Sequence, residues 1–205
     1  VAQYALQKAT ELGATVISVS DSNGYVIDEN GIDFELLTDV KEKRRARLTE
    51  YAAEKPTATY HEGSVWTYAG NYDIALPCAT QNEIDGDAAK RLVAQGVKVV
   101  SEGANMPSNI DAINVYKENG ILYGPAKAAN AGGVAVSALE MSQNSLRLSW
   151  TREEVDGRLK DIMTNIFNTA KTTAETYGLG KDYLAGANIA AFENVANAMI
   201  AQGLV

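Results

Sequence analysis

One cysteine, one histidine and four prolines in 205 residues exclude several kinds of protein before any pattern is read. Cys78 has no partner in the chain, which rules out an internal disulfide framework and every zinc site that needs two or more thiolates. The lone His61 weakens other metal sites too, so no metal is expected, and a reducing, cytoplasmic setting is the default. Apolar runs are short: none approaches the roughly 18 to 20 residues of a membrane helix. The opening residues also lack a basic stretch followed by an apolar one, so neither a membrane nor a secretory route is expected. Positive charge is scarce, with 18 Lys and Arg against 26 Asp and Glu and a net charge of −8. That balance argues against a nucleic acid held by phosphate neutralisation over a wide face.

What is present is ordinary globular material, 46% hydrophobic and 21% charged. A chain of this length buries roughly 70% of the surface its unfolded form exposes, so it needs no covalent staple. From Val1 to Leu12 apolar residues recur at helical spacing, and Gly13 supplies the stop. A helix at the first residue leads us to expect a preceding segment. Ala14 to Val19 reads as a buried strand ending in the turn Asp21-Ser22-Asn23-Gly24, and Phe34 to Ala53 as one charged amphipathic helix closed by Pro56. Short strands are expected at Thr57 to His61, Ile74 to Leu76, Val97 to Val100 and Ile121 to Tyr123, with helices at Ala88 to Ala94 and Ile110 to Asn119. Strands alternating with helices imply an α/β fold, a doubly wound, mostly parallel, Rossmann-like sheet. After Gly133 the period becomes helical throughout, over Val134 to Arg147, Arg152 to Tyr177 and Ala187 to Gln202. The expected organisation is a dinucleotide-binding domain over 1–130 followed by C-terminal helices over 131–205.

Open parallel sheets bind ligands beyond the carboxyl ends of their strands, so the loops there are the candidate site. Asp21 stands where an acidic residue would accept bonds from an adenosine ribose if a glycine fingerprint ended just before Val1; a turn-capping aspartate is the alternative. Lys41, Lys43, Arg44, Arg45 and Arg47 crowd five cations into seven positions, with Lys41, Arg44, Arg45 and Leu48 on one helical face. They could hold a phosphate or could be a solvated helix surface. Asp21 would repel a phosphate there and Ser22 would donate to one. The loops Pro77 to Asn82 and Glu102 to Pro107 carry small and amide residues that suit a flat ligand or a tight turn. Asn130 to Ser137 runs a glycine pair into a helix, leaving N–H groups free for an anion. Cys78 has no neighbouring base and reads as structural; His61 reads as a surface residue of an edge strand, and Ile162, Ile166, Phe167 and Ala170 as a core-facing stripe.

At these loops the strings become specific. SDSNG (20–24), DIALPCATQNE (73–83), EGANMP (102–107), KAANAGGVAVSALEMSQN (127–144) and GANIAAFENVANAMIAQG (186–203) resemble, in this order, the cofactor-binding C-terminal half of NADP-type bacterial hexameric glutamate dehydrogenases. The resemblance runs over the whole chain. It implies NADP as cofactor, with NAD a possible second, and reversible oxidative deamination of L-glutamate to 2-oxoglutarate and ammonia. It places Asp21 and Ser22 at the adenosine ribose, Lys41 and Arg44 at its 2′-phosphate, and Ala79 and Thr80 under the pyrophosphate and the second ribose. Asn105 and Asn130 match amides near the nicotinamide, and Val134 and Ser137 match positions that touch glutamate. It implies a homohexameric parent enzyme whose catalytic lysines and aspartate lie outside this chain, so no catalytic residue is assigned here. Ala126 departs from the glycine or serine of many relatives, and the glycine fingerprint is missing. A non-catalytic nucleotide-binding module is the alternative reading.

Overall fold

The computed structural model describes residues 1–203. Its elements run α1 (Ala2–Glu11), β1 (Ser18–Ser20), β2 (Gly24–Ile27), α2 (Phe34–Thr38), α3 (Leu48–Glu54), β3 (Thr59–Glu62), β4 (Ile74–Ala75), α4 (Gly86–Ala94), β5 (Val99–Ser101), α5 (Ile110–Glu118) and β6 (Leu122–Gly124). Four-residue α6 (Ala126–Ala129) then leads into the long helices α7 (Ala131–Leu146), α8 (Arg152–Thr176) and α9 (Tyr183–Gln202). Helix starts follow their caps: the side chains of Asp33, Asp85, Asn109 and Asp182 each accept from an N–H of the first turn, and Thr151 with Glu154 forms a reciprocal capping box. Among the described residues no helix is long and apolar enough to cross a membrane.

The chain is α/β, but its strands divide into two small sheets, and the expectation of a mostly parallel one needs correction. β4, β5 and β6 pair in parallel through the crossover helices α4 and α5. β1, β2 and β3 form an antiparallel meander instead. The cause is local. The link is only the two residues Ser22-Asn23, closed where Asp21 N–H donates to Gly24 O at 2.8 Å while Ser20 pairs with Tyr25, and so short a connection can join strands only antiparallel. β2, which sequence reading missed, is buried at all four positions and so shows no alternation. Gly24 is required there, because a methyl group added to it would lie 2.2 Å from His61 O.

Each sheet has its own core. Leu6, Val26, Leu37, Val40, Leu48 and Tyr51 pack under the meander, and Ile84, Ala89, Leu92, Val100, Ala112 and Tyr116 under the parallel strands. The expected single helix from Phe34 to Ala53 is broken: after α2 the chain makes one π-helical turn (Asp39–Lys43), then Arg45 takes a left-handed φ of 52° before α3 begins. Val40 and Leu48, on either side of the break, are both buried in the core. In the C-terminal helices, α8 and α9 approach closely at Gly186, with α8's Ala170 and Ala174 buried against it. Phe167 is not core-facing as expected; it is 51% exposed and meets Tyr183 edge-on at 5.5 Å between ring centres.

Candidate functional site

The turn after β1 is closed by its own aspartate. Asp21 Oδ1 accepts from the N–H of Asn23 at 2.9 Å and of Gly24 at 3.3 Å, and Oδ2 accepts from Leu48 N at 3.2 Å with Lys41 Nζ at 3.4 Å. Burial pushes its carboxyl up, but the Asn23 and Leu48 N–H bonds and the Lys41 ammonium together outweigh burial and hold it below the ordinary value. Asp21 therefore caps the hairpin and docks it on the start of α3.

Beside it, exposed Ser22 Oγ accepts from Arg47 Nη1 at 2.7 Å. Lys41, which also donates to Ala46 O at 2.9 Å, completes a group of two cations and a hydroxyl on one turn. Arg44 is not in this group. Its guanidinium turns to Asp39 at 2.9 Å, Glu50 at 3.6 Å and Glu54, and it holds the Glu54 carboxyl below its usual range. Arg47 was hidden because helical spacing grouped Lys41 with Arg44 and Arg45, and that spacing ends at the left-handed Arg45. No residue in the sequence announces the break.

The loops after β4 and β5 are laced together. Asn82 N–H donates to Met106 O at 2.9 Å and Ile84 N–H to Pro107 O at 2.9 Å. Both Asn82 and Met106 hold positive φ, 56° and 50°, a strained conformation that survives where surrounding bonds enforce it. The N–H groups of Ala79 and Thr80 point to Glu83 Oε1 at 3.2 and 3.3 Å, while Trp66 Nε1 donates to Glu83 Oε2. Asn105 is exposed at the loop tip. Asn130 Nδ2 donates to Ala104 O at 3.0 Å, joining the α6–α7 junction to that loop. Val134 is 71% exposed, and Ser137 Oγ turns back on Gly133 O at 3.3 Å.

The start of α1 lies between the two groups of loops. Val1, just before it, abuts the β5 loop: a methyl group added to Gly103 would lie 3.1 Å from Val1 Cγ1 and 2.7 Å from Cys78 Sγ. Gln3 Nε2 donates to Glu42 Oε1 at 2.6 Å, one residue from Lys41. The donor set fits part of a dinucleotide: cations and a hydroxyl for a phosphate, small residues and amides beyond. Burial pushes the Cys78 thiol up, which is the opposite of an activated thiolate. His61 is half-buried and stacks on Tyr25 at 5.1 Å.

The arrangement is that of an α/β protein with candidate loops at strand ends, and comparison with known proteins gives the family. The profile of the glutamate/leucine/phenylalanine/valine dehydrogenases matches residues 1–203. The chain belongs to that family. It is 51% identical over its whole length to the NADP-specific glutamate dehydrogenase of Giardia intestinalis, covering 47% of that protein, and 50% identical to the NADP-specific glutamate dehydrogenase of Escherichia coli, covering 46% of it. The crystal structure of Plasmodium falciparum glutamate dehydrogenase superposes with a TM-score of 0.93 at 49% identity, over 98% of this chain and 44% of that one. The chain thus spans under half the length of the curated relatives it matches.

Proposed function

We propose that the chain is the cofactor-binding portion of an NADP-linked glutamate dehydrogenase, with 1–130 as the dinucleotide-binding domain and 131–205 as helices leading back to a substrate domain. The observation that carries this reading is the Ser22, Lys41 and Arg47 group gathered at the Asp21 turn, with Gln3 of α1 bonded to Glu42 beside it and Val1 against the Gly103 loop. Ser22, Lys41 and Arg47 would hold the 2′-phosphate, and Asp21 would shape the turn that presents them. Ala79 and Thr80 would face the pyrophosphate. Asn105 and Asn130 would orient the nicotinamide end, and Val134 and Ser137 would meet glutamate. The bound cofactor accepts or gives the hydride; the side chains here position it. The substrates proposed are L-glutamate, 2-oxoglutarate and ammonia, and the parent assembly a homohexamer.

Binding tests the reading. Titrating the chain with NADPH and NADH, read by nicotinamide fluorescence, should show tighter binding of NADPH, without turnover of 2-oxoglutarate and ammonia by the chain alone. Joined to a substrate domain of the family, it should oxidise NADPH only when both small substrates are present. Failure to bind either nucleotide refutes the assignment, and binding with no turnover in the joined protein leaves the non-catalytic module as the correct description.

A further inference from the structure

Glu102 stands first after β5, and its side chain is 1% exposed. A buried carboxylate is costly unless its oxygens are met by donors, and three donors meet it. Oε1 accepts from Ser108 N–H at 3.1 Å; Oε2 accepts from Tyr123 Oη at 2.8 Å and from Ala126 N–H at 2.9 Å. These donors belong to different segments: Ser108 ends the loop that bears Asn105, Tyr123 lies on β6, and Ala126 opens the turn that leads to Asn130. The carboxylate is thus a peg with one oxygen in the Asn105 loop and the other in the β6–α6 corner. Only one other side-chain bond named above crosses the same gap, from Asn130 to Ala104. The loop itself is under strain, since Met106 is left-handed, and something must hold it against relaxing.

We propose that Glu102 is a positioning residue for the nicotinamide end of the cofactor, fixing the separation between Asn105 and Asn130 by bonding both of their segments with one rigid carboxylate. This rests on the cofactor reading above. The geometry also says which segment loosens first. In Glu102→Gln the amide oxygen can keep Tyr123 and Ala126 as donors, but its NH2 then faces the Ser108 N–H, donor against donor. The Asn105 loop is released while the β6–α6 corner stays.

The test compares two ligands of the 205-residue chain: NADPH, which reaches from the cationic turn to Asn105 and Asn130, and 2′,5′-ADP, which carries only the adenosine end. Loss of one buried bond with its donor left unmet should weaken NADPH about ten- to hundredfold, while 2′,5′-ADP binds as to the unaltered chain. Should Glu102→Gln fail to fold, Glu102→Asp makes the same comparison, because it keeps both acceptors and falls one methylene short of spanning the gap. Tyr123→Phe, which leaves both N–H bonds in place, should change NADPH binding less than threefold. Equal weakening of both ligands would show a merely structural role and overturn the proposal, as would unchanged NADPH binding. If the unaltered chain binds neither ligand, it is the cofactor reading that has failed.

Discussion

Arg47→Ala against Arg44→Ala is the sharpest perturbation of the proposed cofactor preference, since helical spacing and tertiary structure choose differently between the two arginines. Arg47 reaches Ser22 Oγ at 2.7 Å across an exposed turn, so truncating it leaves the hydroxyl free to bond water and orphans nothing buried. Any loss is then a loss of contact with ligand. Two unit charges about 4 Å apart interact by about 1 kcal/mol in water and about 4 kcal/mol at the effective dielectric of a protein surface. Charge-assisted hydrogen bonds contribute about 1.5 to 3 kcal/mol. For a surface contact to a phosphate, about 1 to 2 kcal/mol is reasonable, which is roughly five- to thirtyfold in affinity. NADH lacks the phosphate and should be unaffected, so the ratio of NADPH to NADH affinities should fall by that factor, and the fall should shrink as salt is raised. Arg44→Ala removes ion pairs to Asp39, Glu50 and Glu54, all exposed to solvent screening; it should change stability little and leave the ratio alone. Fluorescence titrations of both variants decide it. If Arg44→Ala lowers the ratio as much as Arg47→Ala does, the geometric argument is wrong.

Two further outcomes concern the frame under the site. Burial, with Glu102 nearby and only partly offset by the Ser108 bond, pushes the Tyr116 hydroxyl up to about 12. A folded value above the unfolded one, near 10, gives stability that is intact below pH 10 and is lost as pH rises towards 12. Alkaline unfolding followed by circular dichroism should therefore begin near pH 10, and Tyr116→Phe should flatten that limb; an unchanged limb would refute the assignment. At Gly186 an added methyl would lie 2.0 Å from Ala170 O and 3.0 Å from Ala174 Cβ, so α8 and α9 must part. Gly186→Ala gains about 0.5 to 1 kcal/mol of helix propensity but should lose about 2 to 3 kcal/mol in overpacking, lowering the melting temperature by roughly 3 to 8 °C. A raised melting temperature would contradict the packing described.

Patterns that act within a few residues were legible without coordinates. The helices α4, α5 and α8 announce themselves by apolar period, and the strands β5 and β6 by short apolar runs between glycines. The strings SDSNG and EGANMP carried the family, which the comparisons bear out. Direction of pairing was not legible in the first half, because a hairpin and a crossover can both follow a short apolar run, and four buried positions in β2 leave no alternation to read. What only the tertiary structure decided was which charges meet. Arg44 and Arg47 are equivalent as text, yet one left-handed residue at position 45 turns the first to carboxylates and the second to Ser22. In the same way, Glu102 reads as one more acid of the chain's 26 until β6 and α6 bring their donors to it. Local sequence sets the period and caps of an element because those interactions span a turn or two. The partner of a long polar side chain depends on segments tens of residues away, and only packing brings those together.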